Sequence, residues 1–250
     1  MSSTFTDHFT AVTSHYARFR PTYPAALFAW LATIAPDREL AWDCAAGNGQ
    51  ATLDLAQYFT RVIATDASRA QIEAAPPCPN VEYHVAPAEA SGLSTATISM
   101  ITVAQALHWF DQDRFHAEVR RVLKPEGVLA AWTYGPLTVD ETSVNTCVRT
   151  FRLETMAPYW PPERQHVESG YRTLPFPLHE ISTPEFHITM DWSLAELLGY
   201  LRSWSSTGRY LAAYGTDPVN ALAMELAPLW GDPAMQRRVI WPLCLRVGRY

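Results

Sequence analysis

Leu40-Ala-Trp-Asp-Cys-Ala-Ala-Gly-Asn-Gly-Gln50 reads as a strand that enters a glycine turn and opens onto a helix. Gly47 and Gly49 let the backbone turn tightly and approach a ligand closely, and the first turn of the following helix offers unpaired N–H groups. A turn of this kind is also an ordinary strand-to-helix connection when it stands alone. It does not stand alone here. Arg61-Val-Ile-Ala-Thr-Asp66 is a second short apolar run, and it ends in a carboxylate where a neighbouring parallel strand presents an acid to a ribose diol. The pair of elements points to a nucleotide-type cofactor.

Outward from that pair, short apolar runs alternate with helical patterns, the signature of a parallel sheet flanked by helices. Strands are expected over Leu40 to Ala45, Arg61 to Thr65, Val81 to Val85, Ile98 to Ala104 and Val128 to Thr133. Phe115, Val119, Val122 and Leu123 recur at helical spacing behind Asp111, a capping residue, and Lys124-Pro-Glu-Gly127 stops that helix. Past Tyr134-Gly135-Pro136 prolines, tyrosines and tryptophans become dense, as in Ala157-Pro-Tyr-Trp-Pro-Pro162; this texture predicts a cap, since linkers are seldom so aromatic. Ser193-Leu-Ala-Glu196 is a capping box that starts a helix, and Asp217-Pro218 starts another with Leu222, Leu226 and Leu229 on one face. Val239, Trp241, Leu243, Leu245 and Val247 alternate as a closing antiparallel strand, within which Pro242 predicts a bulge or an edge.

Asp43-x-Ala45-x-Gly47-x-Gly49 resembles the first motif of class I S-adenosylmethionine-dependent methyltransferases, and Asp66 falls at that family's ribose-binding acid. Ala45 stands where the family has its first glycine; this could demand a slightly wider turn, but a methyl group is small and Gly47 and Gly49 are both present. Gln105-Ala-Leu-His-Trp-Phe-Asp111 and Arg121-Val-Leu-Lys-Pro-Glu-Gly-Val-Leu-Ala130 resemble the fourth- and fifth-strand signatures of the same family. His15-Tyr-Ala-Arg-Phe-Arg-Pro-Thr-Tyr-Pro24 is similar to the N-terminal segment of its small-molecule subgroup, which includes the trans-aconitate-type enzymes. From Thr10 to Tyr134 the chain is also similar to N-methyltransferases that act on azapteridines of the toxoflavin type. The resemblance implies an α/β, Rossmann-like fold with a mostly parallel seven-stranded sheet. A single domain is expected, divided into an N-terminal lid (1–35), a cofactor core (36–135), a cap and substrate region (136–235) and a closing strand (236–250).

The resemblance further implies that S-adenosylmethionine is the methyl donor, with S-adenosylhomocysteine as product and no metal. Asp66 and Ala67 would meet the ribose, Gly47 and Gly49 the methionine side, Pro87-Ala88-Glu89 the adenine edge, and Asp43 and Gln105 would complete the cofactor pocket. The N-terminal lid would place Tyr16 near the methyl and Arg20 near charged ligand groups. Its blander alternative is a docked arm with solvated arginines.

Gln105, His108 and Trp109 fall at the end of the fourth strand, where such folds place reacting groups. His108 is the candidate general base or acceptor-positioning group, because histidine ordinarily takes a proton near neutral pH. A packed, hydrogen-bonded histidine is the equally weighted alternative. Trp109, Tyr134, Trp160 and Trp204 are candidates for the acceptor wall, with Tyr159 and Tyr171 in a possible aromatic cage for a flat or cationic molecule. Aromatics at this density are also simply core. A planar nitrogen heterocycle suits that set; a carboxylate acceptor would instead want a cation such as Arg18, Arg20 or Arg202.

Composition narrows the alternatives. With 250 residues, 48% of them hydrophobic, the chain can bury a full core. A net charge of −6 argues against nucleic acid as a partner. Cys44, Cys78, Cys147 and Cys244 are widely spaced, unlike a zinc cluster or a disulfide framework. No apolar run reaches the length of a membrane span and the first residues lack a signal-peptide pattern, so a cytoplasmic location is expected. An NAD-dependent oxidoreductase shares the glycine turn and the acid, but Gln50-Ala-Thr52 supplies no third glycine. A non-catalytic protein that keeps the cofactor fold is the other rival. The sequence does not carry the oligomeric state.

Overall fold

In the computed structural model of this chain, residues 21–250 are described. Tyr16, Arg18 and Arg20 lie outside them. The sheet begins with five parallel strands, β1 (Leu40–Cys44), β2 (Arg61–Asp66), β3 (Val81–Val85), β4 (Ile98–Ala104) and β5 (Leu123–Tyr134), ordered β3-β2-β1-β4-β5. β1, β2 and β4 are near-continuous apolar runs because both of their faces are covered. β3 has only one neighbour and is largely exposed. The chain reverses at β1, whose neighbours are β2 and β4, so the carboxyl ends of these three strands frame a crevice.

Helices α1 (Ala25–Ile34), α2 (Gln50–Leu55), α3 (Arg69–Glu73) and α4 (Gln112–Val122) connect these strands or precede them. α4 forms because Asp111 Oδ1 accepts from the Arg114 N–H at 3.2 Å and Phe115, Val119 and Val122 turn inward together. β5 starts at Leu123, five residues before the expected Val128. Pairing with β4 lapses between Ile98 and Met100, and Glu126 sits at φ 62° in that irregularity, so the predicted stop becomes a distortion inside a strand.

The antiparallel part holds β6 (Thr138–Val139), β7 (His179–Glu180), β8 (Phe186–Trp192) and β9 (Arg237–Arg249), giving nine strands where seven were expected. The register reconciles the two numbers. β9 meets β5 and β6 along one edge and β7 and β8 along the other, so the nine strands fill seven positions across the sheet. Pro242 is therefore in an interior strand, not at an edge. It lies opposite the break between β5 and β6, where Gly135 N–H donates to its carbonyl at 2.9 Å, and its missing N–H costs no ladder bond on that side.

Cap helices α5 (Thr142–Thr150), α6 (Arg164–Glu168), α7 (Leu194–Arg202), α8 (Ser205–Tyr214) and α9 (Pro218–Trp230) fill the region between β6 and β9. Ser193 and Glu196 form the reciprocal capping box of α7, and the Asp217 side chain caps α9. Leu222 and Leu226 are buried, whereas Leu229 points outward.

Alternation along β5 divides the core. Val128, Ala130 and Trp132 join α1, the cap residues Leu197, Leu222 and Leu226, and Trp241 of β9 on one face, while Leu129 and Ala131 join Phe115, Val119 and Tyr171 on the other. The cap thus shares its core with the sheet.

Candidate functional site

The glycine turn is held by the acid of the next strand. Asp66 Oδ2 accepts from Gly47 N–H at 2.9 Å and Oδ1 from Ser68 N–H at 2.8 Å, which fixes the carboxylate at the rim of the crevice. Gly49 has φ 85°, and a Cβ built on it would meet Tyr83 Oη at 2.8 Å. Only glycine fits there, for backbone and packing reasons together. Ala45 stands at the family's first-glycine position. It adopts φ 55°, so the turn keeps its course and the alanine carries the strain of a left-handed conformation. On the other side of the turn, Gln50 Nε2 donates to the Pro21 carbonyl at 2.7 Å, bringing the start of the described chain against α2.

Asp43 lies beneath the turn and is fully buried. Its oxygens accept from Thr52 Oγ1 at 2.6 Å and Thr102 Oγ1 at 2.8 Å, so one carboxylate ties β1 to α2 and β4. Burial outweighs those two bonds and pushes its carboxyl up to about 6. Ala67 follows Asp66 at the rim, and Ala88 is buried. Glu89 Oε1 accepts from Asp111 N–H at 2.9 Å, linking the β3–β4 connection to the start of α4.

At the end of β4, Gln105 holds φ 61° and Thr133 Oγ1 donates to its Oε1 at 3.0 Å. Its Nε2 is buried without a hydrogen-bond partner, as is Tyr83 Oη beside Gly49. Strained backbone and orphaned donors cluster where this fold binds ligands, which fits a polar cofactor in the crevice.

His108 sits on a 3-10 turn, Leu107–Trp109, its Nδ1 3.1 Å from the Tyr171 hydroxyl and its ring 4.6 Å from that of Trp109. Burial, reinforced by His166 and Arg164, pushes its pKa down to about 4, so the imidazole is neutral at pH 7. Tyr171 is fully enclosed and burial pushes its hydroxyl well up, so the phenol keeps its proton. The Tyr171 hydroxyl also meets Thr133 and the Leu107 backbone, so it ties the His108 ring to β5.

The aromatic set divides. Trp160 lies 5.3 Å from Trp204, which stacks on Phe151 at 6.3 Å and meets Tyr200 edge-on at 6.0 Å. Tyr159 turns away to an exposed cluster, donating to Tyr214 Oη at 2.9 Å, and Tyr171 is a core residue under His108, so neither belongs to a cage with Trp160. Tyr134 is buried at the end of β5, and Trp109 is partly exposed beside His108. Tyr23, from the predicted lid, packs edge-on against Trp132 at 5.6 Å. Arg202 is bound to Asp217 at 2.7 Å on the outside of the cap.

Sequence reasoning missed Arg164 and the pairing of Tyr171 with His108. Arg164 lies over the Trp160 ring at 4.4 Å and interacts electrostatically with His108, Tyr134 and Tyr200. Only Trp160, four residues earlier, is near in sequence; nothing in Glu163-Arg-Gln-His166 signals His108, Tyr134 or Tyr200, which lie tens of residues away. Among the described residues no group of three or more His, Cys, Asp or Glu could hold a metal, and no helix is long and apolar enough to cross a membrane. A shallow groove lined by Asp140, Asp191, Gln236 and Arg238 lies at the β6–β8–β9 end of the sheet, away from the crevice.

The parallel sheet with its crevice at the glycine turn and Asp66 defines an α/β protein of the nucleotide-cofactor-binding type. Residues 42–131 match the family model described as a methyltransferase domain. A Dictyostelium discoideum protein named as a "putative methyltransferase" is 34% identical over 85% of this chain and 82% of its own length. A "probable S-adenosylmethionine-dependent methyltransferase" of Saccharomyces cerevisiae is 29% identical over 48% of this chain and 45% of its own, so the match spans about half of that relative. A solved structure from Anaeromyxobacter dehalogenans, titled a "putative type II methyltransferase", superposes with a TM-score of 0.88 at 48% identity, covering 92% of this chain and 97% of that one. The chain belongs to the class I S-adenosylmethionine-dependent methyltransferases.

Proposed function

We propose that this enzyme methylates a small planar acceptor, with a ring nitrogen of an azapteridine-like heterocycle as nucleophile, in the space between His108 and the wall formed by Tyr134, Trp160 and Trp204. The observation that carries the reading is a neutral histidine presented beside that wall at the carboxyl ends of β4 and β5. S-adenosylmethionine supplies a methyl group already activated by its sulfonium. Asp66 and Ala67 would hold its ribose, Gly47 and Gly49 its methionine side, and Ala88 and Glu89 its adenine edge. Asp43 braces the turn from below, and Gln105 Nε2 is a donor with no other bond to make.

The remaining task is to align the nucleophile and exclude water. Trp160 and Trp204 offer faces on which a flat ring stacks. The acceptor enters as its ring-deprotonated anion, having released the ring proton to solvent, so that methyl transfer from the sulfonium leaves a neutral N-methyl product and S-adenosylhomocysteine. The neutral His108 holds that anion by a hydrogen bond from its ring N–H, and so positions the acceptor and does not act as the general base. Tyr16 and Arg20, outside the described residues, would close the cofactor side. Such an acceptor places the enzyme in cytoplasmic secondary metabolism.

The test is transfer of labelled methyl from S-adenosylmethionine to azapteridines, purines, phenols and tricarboxylates. Labelled ring nitrogen in azapteridines or purines is expected. Label confined to tricarboxylates would overturn the heterocycle.

A further inference from the structure

Arg164 is a cation with too little anion around it. Its side chain is 24% exposed, and its nearest carboxylate oxygen, Glu168 Oε1, is 3.7 Å from Nε, beyond hydrogen-bond reach. That same oxygen accepts a 2.7 Å bond from Arg152 Nη1, so two guanidinium groups share one carboxylate. The Arg164 Nε is buried without a partner, and among the described residues its guanidinium makes no hydrogen bond, although its backbone N–H donates to the Pro161 carbonyl at 2.9 Å. Burial lowers its pKa from the ordinary arginine value, yet arginine stays charged at any working pH. A buried guanidinium with unused donors in a fixed fork is what a carboxylate fits. Its place gives the direction. Arg164 covers the Trp160 face and acts electrostatically on Tyr200, on His108 after β4 and on Tyr134 at the end of β5.

We propose that Arg164 is a specificity residue that binds a carboxylate on the methyl acceptor, seating an acidic planar molecule against Trp160 with its reacting edge toward His108. The proposal rests on the acceptor pocket proposed above. The other source of a carboxylate is the methionine end of the cofactor, and the test separates the two.

Enzyme saturated with S-adenosylhomocysteine is titrated with benzoate and nicotinate and with their neutral amides, benzamide and nicotinamide, reading heat and tryptophan fluorescence. The carboxylates should bind at least tenfold more tightly than the amides, and Arg164→Gln should abolish that preference while the affinity for S-adenosylhomocysteine stays within twofold. Glu168→Gln, which removes the competing anion, should tighten carboxylate binding at least twofold, and it carries the test alone if Arg164→Gln fails to fold. Equal binding of acids and amides, a preference that survives Arg164→Gln, or no gain in Glu168→Gln would overturn the proposal. A large loss of S-adenosylhomocysteine affinity in Arg164→Gln would also overturn it, by assigning the arginine to the cofactor. Amides that bind as well as acids leave the planar pocket standing; wild-type enzyme that binds none of the four rings counts against the pocket itself.

Discussion

Gly49 carries two constraints at once, a left-handed φ of 85° and a Tyr83 hydroxyl 2.8 Å from where a Cβ would stand. Gly49→Ala should therefore lower stability by about 1–3 kcal/mol, from the left-handed strain together with the clash. Adding Tyr83→Phe removes the clashing oxygen and should restore part of the loss, measured as midpoints of urea unfolding for the two single variants and the double. No recovery in the double variant would mean that the backbone strain alone sets the cost. His108 gives a second residue-scale test. Its pKa near 4 implies kcat/KM without an inflection near pH 6.5, where an ordinary histidine base would titrate. His108→Gln should cost less than about a hundredfold in kcat, the size of a positioning effect at the lower edge of general-base losses. A bell with an acidic limb near 6.5, lost in the variant, would make His108 the base. The sequence marked His108 by its place after β4, but not its chemistry. That depends on Tyr171, 63 residues away in sequence, and on Arg164, neither of which local spacing connects to it.

At the scale of elements, Asp43 is the joint between β1, β4 and α2, and its titration should be visible in stability. Because burial raises its pKa from 3.8 to about 6, the folded chain binds more protons at this site than the unfolded chain between those values. The contribution of Asp43 to stability is then greatest below pH 3.8 and falls as pH rises through 6. His108 and His116 work in the opposite sense: burial depresses both, so their contribution is complete above the unfolded value of 6.5 and is lost as pH falls below it. Asp43→Asn isolates the carboxyl. Relative to wild type, the variant should gain on the order of 3 kcal/mol between pH 4 and 7, read from urea unfolding at each pH. A constant difference would remove the buried ionisation. The elements themselves were largely legible. Period and capping gave α4, the capping box gave α7, and apolar runs gave β1 to β4, because those signals are local. Pro242 was misread, since its tolerance comes from a break in the partner strand at Gly135 that its own sequence does not show.

Across the whole molecule, the first half of the chain builds a cofactor crevice and the second half returns through β8 and β9 to wall its open side, both packed into one core. The glycine turn, Asp66 and the strands that frame the crevice were readable because they follow from backbone turns and apolar runs at fixed spacing. The aromatic second half was not, because α6, α7 and the Phe151–Trp160 segment come together by tertiary packing, which separated Tyr159 and Tyr171 from Trp160 and Trp204. The central claim is that the glycine turn and Asp66 hold S-adenosylmethionine and no other nucleotide cofactor. Calorimetry tests it most directly: wild-type enzyme should bind S-adenosylhomocysteine and give no heat with NAD, and Asp66→Asn should weaken S-adenosylhomocysteine by about 1.5–3 kcal/mol through the loss of charge-assisted hydrogen bonds. Binding of NAD, or an unchanged S-adenosylhomocysteine affinity in a folded Asp66→Asn variant, would contradict it.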